Sequence, residues 1–402
     1  MSRKQAWNIN LFFVLLLFGF AAASFLVPKR TFSEAENRTL AQMPEVNADA
    51  VFSGSFESAY EDYLTDQFVA RDAWISLRTL AEQAMLHREV HDVYLAKNRY
   101  LIEKHTGTFT SEQAEMNRNF LAAFAKTASA KYGSGHFSVL LVPNAVSILK
   151  NRLPIFASPF DEAAWLNNVR ALLPEGVWFD AGEVLAAHAD EEIYYRTDHH
   201  WKTLGAYYVF RAWAASVGLP VTNTDTTAIA TTGVITDAAT GKGIGRVDGY
   251  TIRSLTDSFI GTVASRIGKT NIHDSIEVME PDLEVPYVLT YNRSDDVRST
   301  YIQPLKLEGK DKYTVFFGGN FPLIQAETQA GSGRSILVIK DSYANCFIPF
   351  LFSYFDRVDI VDLRYYYDSL RDLMNTGNYT DVLFLENAAG FAEDTSLSRL
   401  NT

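Results

Sequence analysis

The chain has 402 residues, 48 of them Asp or Glu against 36 Lys or Arg, for a net charge of −12. An apolar content of 47% suffices for a sizeable core in one large domain or two, which excludes a chain dominated by disorder. The acidic balance, with no Lys/Arg stripe able to track phosphates, argues against nucleic acid as a partner.

Near the amino terminus, Arg3 and Lys4 precede an uncharged stretch from Leu11 to Val27. It is long for a signal-peptide core and at the lower limit for a membrane span. Ala21-Ala22-Ala23-Ser24 offers a cleavage region, so residues 1–30 read as a signal-anchor or a signal peptide. Arg3, Lys4 and the terminal amine outnumber Lys29 and Arg30, so the bulk of the chain is expected outside the cytoplasmic membrane. It is held there by residues about 11–27, or secreted after cleavage.

Residues 31–55 read as a linker, and Phe56 to His87 carries helical apolar spacing through Tyr60, Tyr63, Leu64, Phe68, Trp74, Leu77 and Leu80. Phe137 to Val142 predicts a core strand ending at Pro143-Asn144, followed by a helix from Ala163 to Leu173 and a short strand from Val177 to Phe179. Ile193-Tyr194-Tyr195 reads as a strand, and Thr203 to Trp213 as an amphipathic helix with Thr203 at its N-cap. The polar loop between them is Thr197-Asp198-His199-His200-Trp201. Residues about 220–330, rich in Thr, Gly, Val and Tyr, predict a strand-rich insertion. Within it Thr314 to Phe317 reads as a strand entering the turn Gly318-Gly319-Asn320. After Ser335 the pattern alternates: strand 335–339, helix 344–355, strand 358–361, helix 366–374, strand 382–385. Successive βαβ units imply an α/β fold with a parallel sheet.

Two segments far apart supply the parts of a nucleophilic site: the Asp-His-His-Trp loop and Lys340-Asp341-Ser342-Tyr343-Ala344-Asn345. A serine hydroxyl needs an imidazole to take its proton and a carboxylate to orient that imidazole. Ser342, His200 and Asp198 fit these roles, since Asp-x-His lets the carboxylate reach Nδ1 two residues on. Ser342 falls at a strand-to-helix turn, where unpaired backbone N–H groups face a developing oxyanion. Asp341 or Ser342 serving only as a helix cap explains the same position. Asn320, Arg364 and Asn387 lie at turns or strand ends and are candidates for oxyanion or substrate contacts, as are Tyr343 and His199 beside the three main residues. For these a glycine-dependent turn, a salt bridge or a helix cap is an equally good account. The single cysteine, Cys346, reads as a buried small apolar residue.

On these motifs the chain resembles the DHHW family, named for Asp198-His199-His200-Trp201, and is similar to the alginate O-acetyltransferases and more distantly the SGNH esterases. Asp341-Ser342 matches the nucleophile block, and the order of Asp-His before Ser is that of the acetyltransferase relatives. Phe32-Ser33-Glu34, Glu36-Asn37-Arg38, Asp66-Gln67-Phe68, Arg71-Asp72, Phe317 to Asn320 and Asp362 to Tyr365 add to the likeness. Lys340 stands where such relatives usually have glycine. The resemblance implies an SGNH hydrolase-like domain over residues 56–402, interrupted by the insertion at about 220–330. It implies a serine-dependent O-acyl(acetyl)transferase or esterase acting on a cell-surface or exported polysaccharide. No cofactor is expected. The implied partners are the polysaccharide, an acyl donor such as a membrane acyl-transfer protein, and the membrane through the N-terminal segment. Two other readings stay open. The protein is a non-catalytic glycan- or partner-binding envelope protein, for which Tyr365-Tyr366-Tyr367 would permit sugar stacking. Or Asp198, His199 and His200 ligate a divalent cation in a metal-dependent hydrolase, although no second cluster of matching ligands accompanies them and the expected metal content is none.

Overall fold

The structure, a computed structural model, describes residues 3–33, 38–221, 235–236, 243–247, 249–268 and 270–402. Glu34, Glu36 and Asn37 of the early motif, and much of the stretch from 222 to 242, lie outside the described residues. The chain forms two compact units, Met1–His91 with Ala264–Thr270, and Asp92–Val263 with Asn271–Thr402.

The first unit opens with α1 (Arg3–Leu26). Its 24 residues rise about 36 Å, enough to cross a hydrocarbon layer of about 30 Å. Within the expected linker, Phe32–Ser33 pairs antiparallel with Arg38–Thr39, and Ala48–Phe52 forms a short helix capped by Asn47. The single helix expected over 56–87 is two, α2 (Ser55–Asp66) and α3 (Arg71–Ala84). Gln67 turns its carboxamide onto Arg30, accepting from Arg30 N at 3.0 Å and donating to Arg30 O at 2.8 Å. Ala70 takes a left-handed φ of 54°, so the break holds the extended segment against the helices.

The second unit is built on a seven-stranded sheet among the described residues. In chain order its strands are β1 (Phe137–Val142), β2 (Tyr287–Tyr291), β3 (Val297–Arg298), β4 (Leu323–Thr328), β5 (Ser335–Lys340), β6 (Arg357–Val361) and β7 (Asp381–Asn387). Their order in the sheet is β3-β2-β4-β6-β5-β7-β1. The pairs β6/β5, β5/β7 and β7/β1 are parallel, while β2, β3 and β4 join antiparallel. The strand-rich stretch is thus divided between two destinations. Residues 235–236, 243–247, Tyr250–Phe259 and Asp274–Pro281 make a separate antiparallel sheet, whereas β2, β3 and β4 extend the main one.

The central strands are apolar throughout because both faces are covered. Ile336 and Val338 of β5 point into one core, with Leu140, Leu383, Ile360 and the helix α5 residues Ala206, Phe210 and Trp213 (α5, Thr203–Ser216; α4 is Glu112–Tyr132). Leu337 and Ile339 point into the other, with Val139, Phe384 and Leu121, Phe124 and Ala128 of α4. This alternation is the period of two of a pleated strand.

Three local expectations are corrected. The helix expected at 344–355 is a pair of 3₁₀ turns, Ser342–Cys346 and Ile348–Ser353, because Pro349 lacks the N–H that a continuing helix needs. The strand expected at 314–317 is a 3₁₀ turn, Lys312–Val315, followed by φ values of 61°, 87° and 122° at Phe317, Gly318 and Gly319. Phe317 holds its reversed conformation by donating from its amide to Tyr301 O at 2.6 Å and accepting from Tyr291 Oη at 2.9 Å. The helix after β6 starts only at Leu370, capped by Ser369.

Candidate active site

Because β5, β6 and β7 are parallel, their carboxyl ends share one edge, the edge at which open α/β sheets gather ligands. β5 continues into Asp341-Ser342, β6 into Asp362, and β7 ends at Asn387. Asp341 caps the following turn by accepting from Tyr343 N at 2.8 Å, and its other oxygen accepts from Asn387 N at 3.0 Å. The capping reading therefore holds for Asp341, while the Ser342 hydroxyl remains turned to the imidazole.

The Asp-His-His-Trp segment is the tip of a tight return. Tyr194 bridges Trp201, Tyr195 N donates to His200 O at 3.2 Å, and Lys202 N to Ile193 O at 2.9 Å. Asp274, at the start of a neighbouring strand, accepts from Arg196 N, Thr197 N and Thr197 Oγ1 at 3.0, 2.8 and 2.6 Å. Fully buried Trp201 donates from Nε1 to Tyr343 O at 2.8 Å, and Tyr343 Oη donates to His199 O. Motif and nucleophile segment thus hold each other in register.

Ser342 Oγ lies 2.9 Å from His200 Nε2, and His200 Nδ1 lies 2.6 Å from Asp198 Oδ1. Asp198 Oδ2 accepts from Thr262 N at 2.9 Å and Thr262 Oγ1 at 3.2 Å, so both carboxylate oxygens are fixed. The His200 ring stacks on Tyr313 with centroids 3.8 Å apart, and Tyr313 Oη donates to Ser342 O at 3.2 Å. Burial alone would raise the Asp198 carboxyl, but the charges of His199 and His200 and the hydrogen bonds from His200 and Thr262 N outweigh it and hold the group below its usual range. Burial and the neighbouring His199 push His200 down to about 4 against the pull of Asp198, so the imidazole is neutral and able to accept a proton at neutral pH. His199 places Nδ1 3.0 Å from Thr262 Oγ1, and the imidazole hydrogen-bonded to Ser342 Oγ is that of His200.

The remaining expected residues divide. Asn320 reaches the strand edge, where its Oδ1 accepts from buried Lys340 Nζ at 2.9 Å and from Asn345 Nδ2 at 3.3 Å. Arg364 grips buried Asp362 through Nε and Nη2, at 2.8 and 2.6 Å, with its side chain 34% exposed. Burial would lower the Arg364 guanidinium, but Asp362 raises it further still. Asn387 does not present its side chain outward. Its Oδ1 caps Ala389 N and Gly390 N and its Nδ2 donates to Val142 O at 3.2 Å, which makes it a buried structural cap. Tyr343 is also committed to the interior through its bond to His199 O, and its amide to Asp341. Cys346 is buried, its thiol pushed up to about 12 by burial. Sequence reasoning missed Thr262, Asp274 and Tyr313, which lie far along the chain in stretches with no motif of their own.

Asp198, His199 and His200 bring one ligand atom each within 4.8 Å of one another. Both nitrogens of His200 are engaged, with Asp198 and Ser342, and Asp198 Oδ2 is engaged with Thr262. That leaves fewer than the three protein ligands usual in a catalytic metal site.

A family model described as DHHW protein matches residues 179–361, and one described as the SGNH hydrolase-like domain of the acetyltransferase AlgX matches residues 99–247. No curated protein matches the chain. Among solved structures, a DHHW family protein from Eubacterium siraeum is 22% identical with a TM-score of 0.60, over 78% of this chain and 96% of that one. PatB1 of Bacillus cereus, solved with a sulfonyl adduct, is 20% identical with a TM-score of 0.54, over 75% of this chain and 96% of that one. At such identities the likeness to these structures is one of fold. The chain is thus similar to DHHW proteins over residues 179–361 and to the SGNH hydrolase-like domain of AlgX over residues 99–247, on an α/β fold shared with the two solved structures.

Proposed function

We propose that this protein is an extracytoplasmic serine-dependent O-acyltransferase, acetyl being the favoured group, acting on a cell-surface or exported polysaccharide. The observation that carries the reading is the unbroken relay from Ser342 Oγ through His200 to Asp198, at 2.9 and 2.6 Å. A bond forms between Ser342 Oγ and the acyl carbonyl carbon as His200 Nε2 takes the hydroxyl proton. The tetrahedral oxyanion collapses, the acyl–oxygen bond of the donor breaks, and His200 returns the proton to the leaving oxygen. A sugar hydroxyl then repeats the sequence on the acyl-enzyme, giving its proton to Nε2 and releasing Ser342. Ionised Asp198 holds the tautomer and stabilises the imidazolium. The Ser342 amide, which the Asp341 cap leaves unused, and Asn320 Nδ2 are the proposed oxyanion donors. Arg364, about one-third exposed and close enough to act on His200, is the proposed sugar contact, and water in place of sugar would give esterase activity.

The acetyltransferase description of the model matching residues 99–247 supports the choice of acyl group, and the apolar helix α1 supports the compartment. Incubating purified protein with an activated acetyl ester, or with a sulfonyl fluoride of the reagent class that the PatB1 adduct suggests, should give a mass adduct on Ser342. Ser342→Ala should lose both adduct and turnover while chelators change neither. Full turnover in that variant would refute the serine reading, and chelator-sensitive turnover would favour the metal one.

A further inference from the structure

We propose that Lys340 is a positioning residue that fixes the orientation of the Asn320 carboxamide and turns its N–H toward the acyl carbonyl held over Ser342. The proposal rests on the serine mechanism above. A carboxamide has two nearly isosteric ends, and either could face the strand. An ammonium decides between them, because it carries three donors and no acceptor. Lys340 Nζ lies 2.9 Å from one terminal atom of Asn320 and 2.9 Å from one of Asn345, so both must be oxygens. Asn345, its Oδ1 so oriented, directs its own Nδ2 to Asn320 Oδ1 at 3.3 Å. Two donors therefore converge on the Asn320 oxygen. Its Nδ2 makes no hydrogen bond among the described residues.

The surroundings explain why such a tether is needed. Asn320 follows three successive residues of positive φ, two of them glycines with wide conformational freedom, so the backbone alone does not fix where its carboxamide points. Lys340 reaches it from the last position of a central strand, two residues before Ser342, so nucleophile and carboxamide are referred to one rigid element. The lysine side chain is 2% exposed, a costly place for a charge. Burial brings it down to about 8 even with Asp362 at 3.6 Å pulling the other way. Asp362 already has a full partner in Arg364, so the ammonium is not needed to neutralise it. What only the ammonium does is dictate the amide direction.

The test uses hydrolysis of p-nitrophenyl acetate by the full chain, with Ser342→Ala as reference, and variants Lys340→Met, Asn320→Asp and the double. Asn320→Asp still accepts from Lys340 but has no N–H, and should lower kcat about 10²-fold, the usual cost of one oxyanion donor. Lys340→Met frees the amide to rotate and should lower kcat about tenfold or more at nearly unchanged KM. The double variant should stay within about twofold of Asn320→Asp alone, because both changes remove one interaction. In ¹⁵N spectra the Asn320 side-chain amide should give one sharp pair in the wild type and a broadened or doubled pair in Lys340→Met. Wild-type kcat with a single sharp pair in Lys340→Met, or additive losses in the double variant, would overturn the proposal. Should Lys340→Met not fold, Asn320→Asp decides alone, and wild-type turnover there overturns it. Turnover retained in Ser342→Ala would instead bring down the serine mechanism, with the amide spectrum still reporting on the tether.

Discussion

At the scale of single residues, the proposed serine mechanism depends on the difference between two buried neighbours. His200 is held down at about 4, and Asp198 below its ordinary range. Only neutral His200 accepts the Ser342 proton, so kcat/KM should rise through an acid limb near pH 4 and be flat toward neutrality, instead of breaking near 6.5. An acid limb at 6 to 7 in a pH–rate profile would refute that assignment. The same shift has a stability consequence. Between pH 6.5 and 4 the unfolded chain binds the His200 proton and the folded one does not, so this group costs nothing above 6.5 and an increasing amount as pH falls to 4. Asp198 adds a loss in the same direction below its ordinary value. Asp198→Asn should lower kcat by up to about 10⁴ with little change in fold, since an amide cannot hold the tautomer that leaves Nε2 free to accept. The three residues of this relay were legible in the sequence because Asp-x-His and Asp-Ser are compact motifs. Their supports were not. Thr262, Asp274 and Tyr313 act on the motif from distant segments, and only the folded chain brings them in. Asn387 shows the opposite failure. A strand-end position suggested ligand contact, but the helix that begins at the next residue takes its carboxamide as an N-cap.

At the scale of elements, the parallel strands β5, β6 and β7 and the cores on both faces were readable from continuous apolar runs of strand length. Missed were the 3₁₀ turns after Ser342, which Pro349 interrupts, and the left-handed turn at Phe317, where hydrogen bonds to distant partners override local preference. The loop carrying Thr262 positions the acid by close approach. A Cβ placed on Gly261 would fall inside the Asp198 side chain, at a glycine whose amide also donates to Thr197 Oγ1 at 3.0 Å. Gly261→Ala must therefore displace either the loop or Asp198, and displacement on the order of 1 Å costs about 10²-fold in rate. The expected result is a kcat loss of that order with His200 titrating closer to 6.5, measured by pH–rate profile and by NMR of the ring protons. An unchanged profile would mean that the loop yields without moving the acid.

At the scale of the molecule, the open question is whether α1 stays or is removed. Length and apolarity alone leave both outcomes standing, since signal peptides and anchors pass the same test. The packing of the first unit separates them. Phe20 sets its ring against Phe68 and Trp74, with centroids 6.0 and 5.5 Å away. Val69 N donates to Ser24 Oγ at 3.3 Å, and Lys29 Nζ stands 5.5 Å from the Tyr63 ring. Gln67 closes the arrangement on Arg30. The last turns of α1 are thus part of the hydrophobic contacts of α2 and α3, and cleavage at the Ala21–Ser24 region would strip Phe20 from them. We therefore predict an anchor: the mature protein should have the intact mass of the full chain and resist extraction from membranes by alkaline carbonate. Phe20→Ala should leave it membrane-bound but lower the melting temperature by loosening Phe68 and Trp74. A mature amino terminus near Ser24, read by sequencing of the purified protein, would show instead that these contacts belong to the precursor and that the catalytic unit is released.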